Sequence, residues 1–166
     1  AMGAGQKWAA FGWAAGNPEP EDWQQPAMLD FLRLCAQYSD AVGIAVHEYS
    51  WRVDNIWEDG RLVGRVQDIF DVCRQHNITP YPTILIKEWG WTYEHTPSPL
   101  AAMQHILSVG AYYAQFPEIR GAAIWYLGPG FGGIANQAQQ LIAPLTALTL
   151  NTQLQVDELY PGVGEP

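Results

Sequence analysis

Apolar and polar positions along this chain follow two alternating rhythms, and the pair of rhythms recurs four times. The first is a short run of small, aromatic or β-branched residues, at 7–13, 41–46, 83–87 and 121–127. Runs of this length and composition predict buried strands. The second rhythm is helical. Met28, Phe31, Leu32 and Cys35 recur at i, i+3, i+4 and i+7, which predicts an amphipathic helix starting near Pro26. Leu62, Val66, Ile69, Phe70 and Cys73 form a second stripe. Ser98 is placed to cap a third helix whose first residue is Pro99, with Leu100, Met103, Ile106, Leu107 and Gly110 as its expected buried stripe. Ala138, Leu141, Ile142 and Leu145 mark a fourth, which Pro144 is expected to kink or end.

Strands that alternate with helices imply a parallel sheet covered by helices. The order is βαβαβαβα, and an eight-unit barrel needs at least about 200 residues. The 166 residues of this chain therefore hold either a small open sheet or half of a barrel. The expected fold class is α/β, four βα units with a parallel sheet, half of a TIM (β/α)8 barrel. Residues 1–6 read as a cloning remnant or disordered start, 7–150 as the half-barrel domain and 151–166 as an irregular tail. Ile84, Ile86, Ile124 and the Gly43/Ala45 face are expected to line the barrel interior.

Charge narrows the partners. The net charge is −9, and Lys and Arg form no block. That argues against nucleic acid and anionic membrane. No apolar run reaches the length that spans a bilayer. Cys35 and Cys73 fall on apolar helix faces and read as buried thiols rather than a disulfide framework. The eight Trp change the picture more. Trp13, Trp51, Trp57, Trp89 and Trp91 lie in or beside polar, Gly- or Pro-containing stretches rather than on periodic apolar faces. Exposed aromatic clusters mark binding surfaces, and flat rings suit the apolar faces of sugars. Trp51 and Trp91 are expected to be exposed.

Three strand ends carry reactive groups: His47-Glu48-Tyr49, Glu88-Trp89 and Trp125-Tyr126. In a parallel sheet all three share the carboxyl edge, where ligands bind. Glu88 would stand at the mouth, walled by Trp89 and Trp91. Carboxylates, an imidazole, a phenol and an indole are the inventory for acid–base or nucleophilic work on a sugar. His47 and Glu48 are adjacent, so only one points inward; the expectation is His47 inward with Glu48 pairing locally. By strand alternation Lys87 points away from Glu88. His47, Glu48, His76, His95 and His105 match no metal-ligand spacing, so no metal is assigned. His76 and His105 are expected at the surface. Residues 128–133 match G-x-G-x-x-G but follow the last strand, the wrong place for a dinucleotide site.

These segments resemble a family. IKEWGW (86–91) looks like the seventh-strand motif of clan A glycoside hydrolases, and GAAIWYLG (121–128) resembles their eighth strand. AVGIAVHEYSW (41–51) resembles their sixth strand, and KWAAFGWAAGNPEPEDW (7–23) their fifth strand and its loop. The resemblance implies hydrolysis of O-glycosidic bonds by a retaining mechanism, with Glu88 as nucleophile and His47 and Tyr49 orienting it. Trp125 would floor the sugar site, with Trp89, Trp91, Trp13 and Glu48 as further substrate contacts. It implies a carbohydrate ligand and no cofactor. The family commonly has a small hydroxyl residue where Lys87 stands. Its acid/base Glu sits in an Asn-Glu pair that closes the fourth strand, and no such strand precedes residue 7. The chain is thus expected to resemble a carboxyl-terminal half, with little or no activity alone, and to form a homodimer or associate with an amino-terminal half. Two other readings are a non-catalytic carbohydrate-binding half-barrel and an open flavodoxin-like sheet that binds a nucleotide-type ligand.

Overall fold

A computed structural model describes residues 5–58, 62–91, 97–125 and 133–151, the side chains of 133–138 excepted. The elements alternate as expected: β1 (Trp8–Phe11), α1 (Pro26–Gln37), β2 (Val42–Ser50), α2 (Val66–Gln75), β3 (Thr83–Trp91), α3 (Pro99–Tyr113), β4 (Ile119–Ile124) and α4 (Gly133–Asn151). The four strands form one parallel sheet in the order β1-β2-β3-β4. A flavodoxin-like sheet reverses its strand order near the first strand; no reversal occurs among the described strands. No described helix is long and apolar enough to cross a membrane.

One face of the sheet and the inner faces of all four helices share a single core. Val42, Ile44 and Val46 of β2 and Ile84 and Ile86 of β3 pack with Leu32, Cys35, Ile69, Phe70, Val109 and Leu141. The interior-lining expectation is therefore half corrected. Ile84 and Ile86 face the helices, and Ile124 packs against the same core. The opposite, open face carries the alternate residues. A Cβ added at Gly43 would meet the Ala9 and Thr83 side chains, and Ala45 lies beside half-exposed Leu85 in the register. The reason is the pleat: Gly43 and Ala45 are odd positions, whereas Ile84 and Ile86 pair with the even ones, Ile44 and Val46.

β3 changes parity partway. Val46 pairs with Ile86, but the next residue, His47, pairs with Glu88. Lys87 is thus an extra residue, a β-bulge. Before it, Ile84 and Ile86 face the helices; after it, Trp89 and Trp91 do. Lys87 and Glu88, adjacent in sequence, both fall on the open side.

The helices are fixed by tertiary contacts as much as by periodicity. Ser98 caps α3 by accepting from the Ala101 N–H, as its position predicts. The buried stripe of α3 is only in part the expected one: of that stripe, Ile106 packs against the core. Ala102, Val109 and Tyr113 face the core, while Leu100 and Leu107 are 73% and 52% exposed. Two bonds lock this rotation: Tyr113 Oη donates to Glu48 at 2.7 Å and Trp91 Nε1 donates to His105 Nδ1 at 2.9 Å. His105 is accordingly half-buried rather than at the surface, and Trp91 is buried, contrary to expectation. α4 continues through Pro144 to Asn151 instead of ending there. Both cysteines are free and buried, and burial pushes each thiol up to about 12. The residues from 152 onward, His95, Tyr126 and the glycine-rich loop at 128–132 lie outside the described residues.

His105 Nδ1 accepts the indole proton, so that nitrogen is unprotonated and the ring neutral. Burial lowers its pKa from the usual 6.5, with the Asp54 charge opposing. Burial also lowers that of His47. A depressed histidine pKa means that the unfolded chain binds the proton first as pH falls. Stability from these rings is thus full above 6.5 and declines as pH drops through the lowered values. The melting temperature is expected to fall as pH drops below about 6.5. His105→Gln keeps an acceptor for Trp91 and should flatten that slope; an unchanged slope would remove His105 from the account.

Candidate functional site

β2 ends with alternate residues on alternate sides. His47 and Tyr49 point to the open face, and Glu48 and Ser50 to the helices. The bulge on β3 then swings Glu88 onto the open face beside them. Tyr49 Oη donates to Glu88 Oε2 at 2.5 Å, and His47 Nδ1 lies 3.5 Å from the same oxygen. Trp125, just past β4, sets its ring edge-on to Tyr49 with centroids 5.2 Å apart. Its backbone N–H donates to the Trp89 carbonyl at 2.8 Å. His47, Tyr49, Glu88 and Trp125 therefore converge at the carboxyl ends of three adjacent parallel strands.

The electrostatics follow from this packing. Burial raises the Tyr49 pKa, and the hydrogen bond and charge of Glu88 push it the same way. The phenol thus stays protonated and stays a donor. For His47, burial disfavours the charged ring; Glu88 opposes this and the Lys87 ammonium reinforces it. A neutral His47 with its proton on Nδ1 donates toward Glu88. Its Nε2 is then an acceptor, and that nitrogen is buried without a hydrogen-bond partner among the described residues. Gly12 closes over it. A Cβ there would sit 3.3 Å from His47 Nε2 and 3.8 Å from Lys87 Nζ, and the φ of +109° is one that glycine alone adopts easily. Lys87 therefore shares the face with Glu88 and His47, which corrects the expectation that it points away. The sequence carries no clear signal for the bulge, because the Ile84-Leu85-Ile86 run before it is apolar at every position.

The same parity change removes two expected site residues. Trp89 and Trp91 do not wall Glu88. They are buried on the helical side with ring centroids 5.8 Å apart, and Trp89 meets Tyr113 edge-on. Trp13 stays near the mouth, stacked on Phe11 and edge-on to buried Trp23. Trp51 is exposed as expected, at 58%.

Glu48 is not a ligand contact either. It is fully buried behind the sheet, where Oε2 accepts from Gly64 N–H at 2.6 Å and Tyr113 Oη at 2.7 Å, and Oε1 accepts from Val66 N–H at 2.8 Å. Those amides open α2, so the carboxylate satisfies orphan donors at a helix N-terminus. Local pairing was expected of Glu48, but Tyr113 comes from 65 residues away, and nothing in the sequence pattern marks it. Arg65 beside it donates to the Pro18 carbonyl and ties in the loop after β1.

Among the described residues no group of three or more His, Cys, Asp or Glu side chains is arranged to hold a metal ion. No family model, no curated protein and no solved structure matches this chain.

Proposed function

We propose that this chain is the carboxyl-terminal half of a (β/α)8 barrel that hydrolyses O-glycosidic bonds with retention of configuration, with Glu88 as nucleophile. The observation that carries the reading is the 2.5 Å bond from Tyr49 to Glu88 at the mouth of a sequentially ordered parallel sheet. Tyr49 and His47 both address Oε2. Oε1 accepts no bond from a described residue, so its lone pair is the one free to attack. In the first step Oε1 bonds to the anomeric carbon as the bond to the leaving oxygen breaks, and an acid protonates that oxygen. Water then cleaves the glycosyl ester. Trp125 offers its ring beside Tyr49 to the sugar.

A retaining pair needs its second carboxyl about 5–5.5 Å from the first. Glu48, the other strand-end carboxylate, lies behind the sheet and cannot serve. In this reading the acid is supplied by an amino-terminal half, and the chain alone should turn over little. The edges of β1 and β4, which no other described strand pairs with, belong to the same reading. Eight strands close a barrel, so a second four-stranded unit, a second copy or an amino-terminal half, would pair with both edges. Light scattering at micromolar concentration reads this directly; a monomer at the 18.5 kDa chain mass excludes the homodimer.

The test of Glu88 avoids the absent acid. A 2-deoxy-2-fluoro glycoside with a dinitrophenolate leaving group needs no protonation to depart. Incubation with a panel of such sugars should leave a glycosyl ester on Glu88, located by peptide mass mapping, and none on the Glu88→Gln variant. Failure of every panel member to label Glu88 would end the nucleophile assignment. If sugars then still changed Trp fluorescence, the chain would be a non-catalytic carbohydrate-binding half-barrel. The position of Glu48 favours that second reading, because it leaves Glu88 as the single strand-end carboxylate on the open face among the described residues.

A further inference from the structure

We infer that the mouth carries a subsite for a carboxylate-bearing sugar, formed by the Lys87 ammonium and the Phe11–Trp13 ring pair two strands from Glu88. The inference rests on the carbohydrate reading above and names the substrate class.

The backbone at the end of β1 is the first observation. Phe11 holds φ at +82° and Gly12 at +109°. Non-glycine residues seldom enter this region, and such outliers cluster at ligand clamps. The reversal leaves Phe11 40% exposed, its ring stacked on Trp13 at 3.7 Å between centroids and at a T-shaped angle to Phe31 at 4.8 Å. A partly exposed, rigid aromatic pair suits the apolar face of a pyranose.

The second observation is the cation. The bulge puts Lys87 on the open face, and its side chain reaches across β2 until Nζ lies 3.8 Å from the Cβ position of Gly12. It thus ends beside the residue that links Phe11 to Trp13. Lys87 is exposed, and no described carboxylate pairs with it. The other described cations at this end of the sheet are engaged: Arg52 pairs with Asp54 and Glu58, and Arg65 donates to Pro18. On a chain of net charge −9, with Glu88 nearby, an anionic sugar would be repelled without a compensating charge. Lys87 supplies that charge at the edge of the aromatic platform. A uronate seated there sets its ring on Phe11 and its carboxylate on Nζ, and extends its neighbouring sugar unit toward Glu88.

Titration of the chain with methyl glycosides of glucuronic and galacturonic acid, and with the matching neutral glucosides and galactosides, tests this. Both anomers are used, at low ionic strength, with affinities read from amide chemical shifts. The uronides are expected to bind about tenfold more tightly, with the preference shrinking as salt rises. Lys87→Met should abolish the preference, and Lys87→Arg should keep it. Equal affinities in the wild type, or a preference that survives Lys87→Met, would overturn the subsite. Binding of the neutral sugars alone would overturn it and leave the carbohydrate reading standing. Binding of none would overturn both.

Discussion

Glu48→Ala is expected to destabilise the fold by about 3–5 kcal/mol, measured by denaturant unfolding, the scale seen when one partner of a buried charged network is removed. The carboxylate accepts three donors, the amides of Gly64 and Val66 and the Tyr113 phenol, where no water reaches. Truncation orphans all three, and each buried orphan costs about 1–3 kcal/mol. The same group joins β2 to the start of α2 and the end of α3, so the loss falls on three elements at once. Glu48→Gln should cost less. Its amide oxygen can replace Oε2 for Gly64 and Tyr113, leaving the Val66 amide facing an NH2. Burial raises the Glu48 pKa from 4.5, with Tyr113, the two amides and Arg65 opposing. A raised carboxyl pKa gives stability that is present below 4.5 and lost as pH rises through the folded value. Glu48→Gln should delete this contribution, which runs against that of the histidines. A loss under about 1 kcal/mol for Glu48→Ala would mean the three donors find other acceptors.

Trp89→Ala is expected to cost about 3–5 kcal/mol, the range for emptying a buried aromatic site. Trp89 is 3% exposed, packs against Trp91 and Tyr113, and its carbonyl anchors Trp125. Trp91→Ala should be similarly severe and would also orphan His105. Trp51→Ala should stay within about ±0.5 kcal/mol, as surface changes do. The contrast tests the bulge. Without it Trp89 and Trp91 would fall on the open face, and their loss would resemble that of Trp51. Equal, small effects at all three positions would contradict the register between β2 and β3.

Local pattern in the sequence determined the four strands, the four helices, the cap at Ser98 and the parallel arrangement, because each depends on residues a few positions apart, on a repeated apolar face or on strands alternating with helices. The placement of His47 and Tyr49 on one face was legible for the same reason: burial alternates along the end of β2, from His47 to Ser50. Regular alternation also set the wrong face for Lys87, since an inserted residue puts two neighbours on one side of the sheet. Whether an insertion is absorbed is decided by the neighbouring strand, which here pairs His47 with Glu88. The rotation of α3 was likewise settled elsewhere. Its sequence offers Leu100 and Leu107 as a buried stripe, but Glu48 and Trp91 bind Tyr113 and His105, and a buried charge must find its donors before leucines compete for cover. Local pattern specified which segments are strand or helix; the pairing of distant polar groups decided which side each presents, and so which carboxylate stands at the mouth and which holds the core.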